Sequence, residues 1–208
     1  MSYNFNALQR CSEEIISVGR KLYQRGWTPA TSSNFSARLD QHYCAVTVSG
    51  KDKGHLTLDG IMVVDMAGIP QEDKKPSAET LLHTHLYARD PAIGAVLHTH
   101  SPSATVLSMQ LAGDRLVLRD YELLKAFAGI GTHETEVVIP VFDNTQDIAE
   151  LATRVERWFA EHGQGVAYII RGHGIYTWGK TMAECDRHLE ALEFLLECEL
   201  RRLAFTRH

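Results

Sequence analysis

The chain has 208 residues and a formal net charge of −5 at neutral pH. This length suits one domain, residues 1–208, and the acidic balance argues against a basic surface for nucleic acid or anionic membranes. Hydrophobic residues make up 44% and charged residues 23% of the sequence, as in ordinary soluble globular proteins. We find no signal-like first segment and no apolar run of about 18 residues, so we expect a cytoplasmic protein.

Four cysteines contrast with eleven histidines. The cysteines are Cys11, Cys44, Cys185 and Cys198, and no two of them form a C-x-x-C pair. This spacing excludes a thiolate zinc ribbon and a redox dithiol. The histidines therefore carry the question of function, because imidazole serves both as a metal ligand and as an acid–base group.

Periodicity predicts helices and strands that are interleaved along the chain. The predicted elements are a helix over 8–22, strands over 35–39, 44–48 and 61–65, a helix over 78–89, a strand over 93–99, a helix from Ser101-Pro102, a strand over 137–141, a helix over 148–159 capped by Asn144 or Thr145, strands over 166–170 and 174–178, and a helix from 181 onward. Several strands follow one another directly, which favours an α/β fold with a mixed, mostly antiparallel sheet and helices packed on it.

Two identical triplets, His83-Thr84-His85 and His98-Thr99-His100, differ in what they can do. Residues i and i+2 point to nearly opposite sides of a helix but to the same face of a strand. The first triplet falls in a predicted helix, so its two imidazoles cannot share one ion, and we expect a helix-surface or packing role. The second triplet ends a buried strand, so both of its imidazoles can bind one metal ion.

A metal bound by His98 and His100 needs a third protein ligand. His173 is the best candidate, because it follows a buried apolar strand and has a glycine on each side. Three imidazoles with an open fourth position are typical of catalytic zinc. Zinc is therefore preferred, with nickel, cobalt, manganese and iron(II) as alternatives.

Two glutamates are candidates for proton transfer. Glu79 lies in the first turn of the helix over 78–89, and Glu122 lies in a short charged segment. Each alone is explained as a solvated carboxylate at a helix end, whereas a nearby metal would favour catalysis; sequence spacing leaves that proximity open. His83 lies one turn after Glu79 and could support the site from behind.

Two hydroxyl-rich turns, Thr31–Ser36 and Thr47–Lys51, adjoin predicted strands. Backbone N–H groups and hydroxyls in such turns can bind a phosphate, and Lys51 or Lys53 could add positive charge. Ser77 at a helix N-terminus is a further anion-binding element. The glycine-rich nucleotide motifs G-x-x-x-x-G-K-[ST] and G-x-G-x-x-G are not found in the sequence.

Five segments form one ordered set that runs along nearly the whole chain. They are Asn34-Phe35-Ser36-Ala37-Arg38, Ser49-Gly50, Lys75-Pro76-Ser77-Ala78-Glu79, Leu97-His98-Thr99-His100 and Arg171-Gly172-His173-Gly174. This set resembles the class II aldolase family. The family contains sugar-phosphate aldolases, a ribulose-phosphate epimerase and a non-catalytic cytoskeletal branch, the adducin head.

The resemblance implies a class II aldolase-like three-layer fold and assigns roles by position. His98, His100 and His173 match the ligands of one Zn²⁺ per subunit. The positions that match residues holding the sugar phosphate are Asn34, Ser49, Gly50 and Ser77. Family members are commonly tetramers with sites near subunit interfaces, so we expect a homotetramer that binds a small sugar phosphate.

Further segments resemble a branch of dehydratases that act on 5-methylthioribulose 1-phosphate in methionine salvage. They are residues 49–54, 75–80, 121–125, 140–147 and 173–179. By position, Glu122 matches the acid–base glutamate of this branch, and Glu79 matches the catalytic glutamate of the aldolases. Thr80 stands where the eukaryotic dehydratases have a cysteine near the substrate. An aldolase or epimerase and a scaffold of the adducin type are the alternatives.

Overall fold

An eight-stranded sheet organises residues 3–206, which are the residues described by the computed structural model. The strands are β1 (Asn34–Arg38), β2 (Tyr43–Thr47), β3 (Ile61–Asp65), β4 (Ala95–Thr99), β5 (Arg115–Arg119), β6 (Glu136–Phe142), β7 (Ala167–Ile170) and β8 (Gly174–Gly179). Their spatial order is β3-β2-β1-β4-β8-β7-β6-β5. The β6–β7 pair is parallel and the other neighbours are antiparallel, so the predicted mixed, mostly antiparallel sheet is confirmed.

Helices cover both faces of the sheet. They are α1 (Phe5–Gln24), α2 (Thr80–Arg89), α3 (Pro102–Gln110), α4 (Ile148–His162) and α5 (Met182–Thr206). One core joins α1, α3 and α5 to the sheet and includes Leu97, whereas the other joins α2 and α4 to the opposite face and includes Val96. Because neighbouring strand residues point to opposite faces, one strand supplies both cores, and the molecule has three layers.

The predicted boundaries need correction at several points. The edge strand β5 was not predicted, because only Leu116 and Leu118 face the core within a segment bounded by arginines. The N-cap of α4 is Asp147, whose carboxylate accepts from the Glu150 amide at 2.9 Å, and not Asn144 or Thr145. The predicted cap of α3 is confirmed, since Ser101 accepts from the Ala104 amide at 3.0 Å.

Strand register places four polar residues side by side across the middle of the sheet. Asn34 on β1 lies opposite His98 on β4, His98 lies opposite Tyr176 on β8, and Tyr176 lies opposite Tyr168 on β7. Directly opposite residues share one face of a sheet. These four residues, which we call the cross-strand row, therefore face α2 and α4. His98, one of the candidate metal ligands, is part of this row.

The cysteines are not paired in disulfides in residues 3–206, and Cys11, Cys44 and Cys185 are buried thiols. Among the described residues, none of the helices has the length and apolar character needed to cross a membrane.

Candidate metal centre

Three imidazoles meet where β4 ends and where the turn between β7 and β8 leads into β8. One ring nitrogen from each of His98, His100 and His173 lies within 4.8 Å of the others, and the Nε2 atoms of His98 and His100 are 2.8 Å apart. A Cβ on Gly174 would lie 2.0 Å from the Thr99 carbonyl oxygen. Glycine is therefore required beside His173 for the turn to approach β4 this closely.

The protonation of these histidines suits metal binding. His98 donates its Nδ1–H to the Ile175 carbonyl at 2.8 Å, which leaves its Nε2 lone pair facing His100. Burial lowers the pKa of His98 far below the ordinary value and, with the neighbouring His98 second, lowers the pKa of His100 to about 3. A neutral imidazole has one bare nitrogen, and this is the form that binds a metal ion. The donor set therefore fits a divalent metal with an open position.

Glu79 lies directly beside the imidazoles. Its two carboxylate oxygens are 3.3 Å from His98 Nε2 and 3.4 Å from His173 Nε2, and its side chain is 13% exposed. It precedes the first residue of α2 and makes no capping hydrogen bond with its side chain. The carboxylate therefore faces the cluster and not the helix end.

Asn34 and Ser77 adjoin Glu79, and the loop of Ser49 and Gly50 lies alongside. The Asn34 amide nitrogen donates to the Glu79 carboxylate at 2.9 Å and to Ser77 Oγ at 3.3 Å. The Ser49 amide donates to the Lys75 carbonyl at 3.1 Å, which joins that loop to the one carrying Ser77. Gly50 has a φ of +73°, a conformation that favours glycine.

The two lysines considered for anion binding differ in position. Lys53 is buried, and its ammonium donates to the Thr31 carbonyl at 3.1 Å and to the Lys51 carbonyl at 2.5 Å. Burial lowers the pKa of Lys53 to about 8. The Lys51 ammonium is half-exposed and pairs with Asp59 at 3.2 Å. Lys53 thus joins both hydroxyl-rich turns, whereas Lys51 is neutralised at the surface.

Glu122 lies apart from the imidazoles. Its exposed side chain forms ion pairs with Lys125 and His133, and the Lys125 contact lowers the pKa of Glu122. It lines a groove of about 980 Å³ that Trp27 and Glu193 also line.

Two residues that line this groove are hydrogen-bonded to residues at the end of β4. The Trp27 carbonyl accepts from the His100 amide at 2.9 Å, and the Glu193 carboxylate accepts from Thr99 Oγ1 at 3.1 Å. The structure therefore places Glu79 against the cluster and Glu122 on a groove that begins beside it.

Tyr176 lies near the cluster and was not assigned to a site from sequence. The Tyr176 ring stacks on His98, with centroids 4.1 Å apart and planes 15° apart. His83 is fully buried and bonded to Asn34 and Ser36, so a helix-surface role is wrong. The supporting role suggested by its spacing from Glu79 agrees with these contacts. His85 stays on the outer side of α2 and pairs with Glu156 at 3.1 Å.

The fold and the imidazole cluster together define the class of protein. The family model "Class II Aldolase and Adducin N-terminal domain" matches residues 13–200, and the chain belongs to this family. Solved structures support the fold. An L-fuculose-1-phosphate aldolase from Thermus thermophilus has a TM-score of 0.77 at 24% identity, covering 97% of this chain and 99% of that one. A sugar-phosphate aldolase from Thermotoga maritima has a TM-score of 0.70 at 18% identity, covering 96% and 97%.

Curated relatives are similar over nearly their whole length. A methylthioribulose-1-phosphate dehydratase from Pseudomonas aeruginosa strain PAO1 is 60% identical over 200 residues, which are 96% of this chain and 98% of the relative. An enzyme of the same name from Azotobacter vinelandii is 59% identical over 194 residues, which are 93% and 94%. The resemblance to the class II aldolase family inferred from short motifs is thus confirmed.

Proposed function

We infer that the protein is a hydro-lyase that converts 5-methylthioribulose 1-phosphate into 2,3-diketo-5-methylthiopentyl 1-phosphate. The observation that carries this inference is the cluster of three imidazoles with Glu79, found in a chain 60% identical to relatives that bear the dehydratase name. The reaction belongs to methionine salvage, since its substrate is a methylthio sugar phosphate.

We propose that His98, His100 and His173 hold one divalent metal per subunit, with zinc preferred. Three histidines and an open position are the usual ligand set of catalytic zinc. Held by these residues, the metal would supply a Lewis acid for the oxygens of the substrate. The hydrogen bond from His98 Nδ1 to the Ile175 carbonyl keeps that ring oriented.

Four residues would bind and orient the sugar phosphate: Asn34, Ser49, Gly50 and Ser77. Their amide, hydroxyl and backbone N–H groups are donors that phosphate and sugar oxygens accept from. The buried ammonium of Lys53 adds positive charge behind the two turns. Binding energy from the phosphate would then hold the reacting carbons within reach of the acid–base groups.

The reaction requires removal of the proton from C3 and acid-assisted loss of the hydroxyl from C4. A carboxylate takes the proton from C3, and the electron pair left there is delocalised into the C2 carbonyl. The C4 hydroxyl then leaves as water after receiving a proton from a general acid, and the resulting enol becomes the C3 ketone. We propose Glu122, on the groove, as the acid–base group and Glu79, beside the imidazoles, as its partner.

We further propose that the protein works in the cytoplasm as a homotetramer with a small-molecule substrate. The assembly is supported by the groove that carries Glu122, because the exposed side chains of Leu123 and Phe194 line it. Sedimentation analysis tests the assembly, because a monomer in dilute solution would contradict it.

The reaction is tested by incubating the purified protein with 5-methylthioribulose 1-phosphate and, separately, with L-fuculose 1-phosphate. We expect the diketone from the first substrate and no turnover of the second. Formation of dihydroxyacetone phosphate without diketone would contradict the dehydratase and favour the aldolase. Absence of bound metal together with insensitivity to chelators would favour the scaffold.

A further inference from the structure

A chain of buried hydrogen bonds runs behind the site to the Glu79 carboxylate. The Tyr87 hydroxyl lies 2.8 Å from Ser36 Oγ, which lies 2.7 Å from His83 Nδ1. His83 Nε2 contacts the Asn34 amide oxygen, and the Asn34 amide nitrogen lies 2.9 Å from Glu79. The side chains before Glu79 are buried, so water does not compete for these bonds.

The direction of every bond in this chain follows from its last member. A carboxylate accepts and does not donate, so Asn34 must turn its amide nitrogen toward Glu79 and its oxygen toward His83. That oxygen needs a donor, which is the Nε2–H of His83. The Nδ1 atom is then bare and accepts from the Ser36 hydroxyl, whose oxygen in turn accepts from Tyr87.

The surroundings of His83 keep it in the single-proton state that this direction requires. Burial lowers the pKa of His83 to about 4, so the ring is neutral at physiological pH. Its ring also packs edge-on against Tyr176, with centroids 5.5 Å apart, which restrains its rotation. A neutral imidazole held in one orientation can donate from one nitrogen and accept at the other.

We propose that His83 is a positioning residue whose Nε2–H fixes the amide of Asn34, so that the amide nitrogen faces Glu79 and Ser77. The importance for catalysis rests on the proposed function; the hydrogen-bond direction does not. With the amide reversed, its oxygen would face the Glu79 carboxylate, and their repulsion would push Glu79 away from His98 and His173.

Two substitutions of His83 distinguish a hydrogen-bond donor from a side chain that only fills space. His83→Gln keeps a donor for Asn34 and an acceptor for Ser36, whereas His83→Met fills space and donates nothing. We expect His83→Met to lower kcat/KM about ten-fold or more, and His83→Gln to recover most of this loss. His85→Met is the matched control, because His85 lies on the same helix, faces Glu156 and should stay near wild type.

A spectroscopic measurement tests the tautomer without any turnover. In protein labelled with ¹⁵N-histidine and loaded with Zn²⁺, we expect His83 to show a protonated Nε2 and a bare Nδ1. A protonated Nδ1 would overturn the proposal. Normal activity of His83→Met, or equal loss in both His83 variants, would also overturn it, since neither agrees with a donor role.

The two proposals fail in different ways. If the wild-type protein does not dehydrate 5-methylthioribulose 1-phosphate, the proposed function fails, and the tautomer measurement still decides the role of His83. If His83→Met does not fold, the tautomer in the wild-type protein and the activity of His83→Gln remain decisive.

Discussion

Glu79 stands at the amino-terminal end of α2, where the positive end of the helix dipole favours a negative charge. Its carboxylate contacts two imidazoles and one amide nitrogen instead of capping the helix. The Asn34 amide nitrogen donates to Glu79 Oε2 at 2.9 Å, so the carboxylate is oriented before any substrate arrives. Such preorganisation is what proton transfer at a fixed carbon requires.

Substitution of each glutamate by glutamine tests the division of labour. We expect Glu122→Gln and Glu79→Gln each to lower kcat by about 10²- to 10⁴-fold, the usual range for losing a general acid or base. Steady-state assays with metal analysis of each variant measure this. Glu161→Gln on the exposed face of α4 is the control. Near-normal turnover of Glu122→Gln would exclude its assigned role.

Glu193 is a buried carboxyl group whose titration affects stability. Burial raises its pKa from the ordinary 4.5 to about 7. Between these values the folded state binds more protons than the unfolded state, so Glu193 lowers stability as pH rises from about 4.5 to 7.

The variant Glu193→Gln removes this pH dependence and keeps an oxygen that accepts from Thr99. We expect its unfolding free energy, relative to wild type, to rise between pH 5 and pH 8 by up to about 3 kcal/mol. Urea unfolding at both pH values measures the difference. Glu197→Gln, an exposed site on the same helix, should show no such rise. A constant difference across pH would refute the argument.

At the scale of elements, the approach of β8 to β4 sets the spacing of the imidazoles. Added to Gly174, a Cβ would meet the Thr99 carbonyl at 2.0 Å and His98 Cε1 at 3.2 Å. We expect Gly174→Ala to cost about 1–3 kcal/mol of stability, as overpacking does, and to lower the zinc content. Gly113→Ala is the control, because nothing lies within 4 Å of its added carbon. Calorimetry and metal analysis would decide, and equal stabilities would count against the close approach.

Sequence reasoning reached those parts of the site that depend on local geometry. His98 and His100 were predicted as a pair because alternate residues of a strand share a face, and their rings do meet, with centroids 4.6 Å apart. The contact of Glu79 with His98 could not be predicted, because it depends on how α2 packs on the sheet. The bond from His83 to Asn34 joins α2 to β1 and has no local signature.

The same limit explains the uneven prediction of strands. Strand β3 was predicted at its observed bounds, since its residues form one continuous apolar run. Strand β5 was missed, because an edge strand buries few side chains and gains its stability by pairing with β6. The order of strands in the sheet, which puts β4 between β1 and β8, likewise depends on contacts between distant segments.

At the scale of the whole molecule, a metal that binds the folded chain and not the unfolded chain must stabilise the fold. Free Zn²⁺ at 1,000 times its dissociation constant would add about 4 kcal/mol. We expect dialysis against a chelator to lower the melting temperature and abolish dehydration, and added Zn²⁺ to restore both. His173→Ala should lose this response. A melting temperature that stays the same with chelator and with added Zn²⁺ would contradict the metal centre.

The cross-strand row draws Asn34 from the first third of the chain, His98 from the middle third, and Tyr176 and Tyr168 from the last third. Contacts between such distant segments form late in folding, because long loops must close first. A nascent chain still lacking β8 therefore has no assembled site, however well its earlier strands pair. The row is then complete only after β8 has been synthesised, and a chain terminated at the end of β7 would lack His173 and Tyr176.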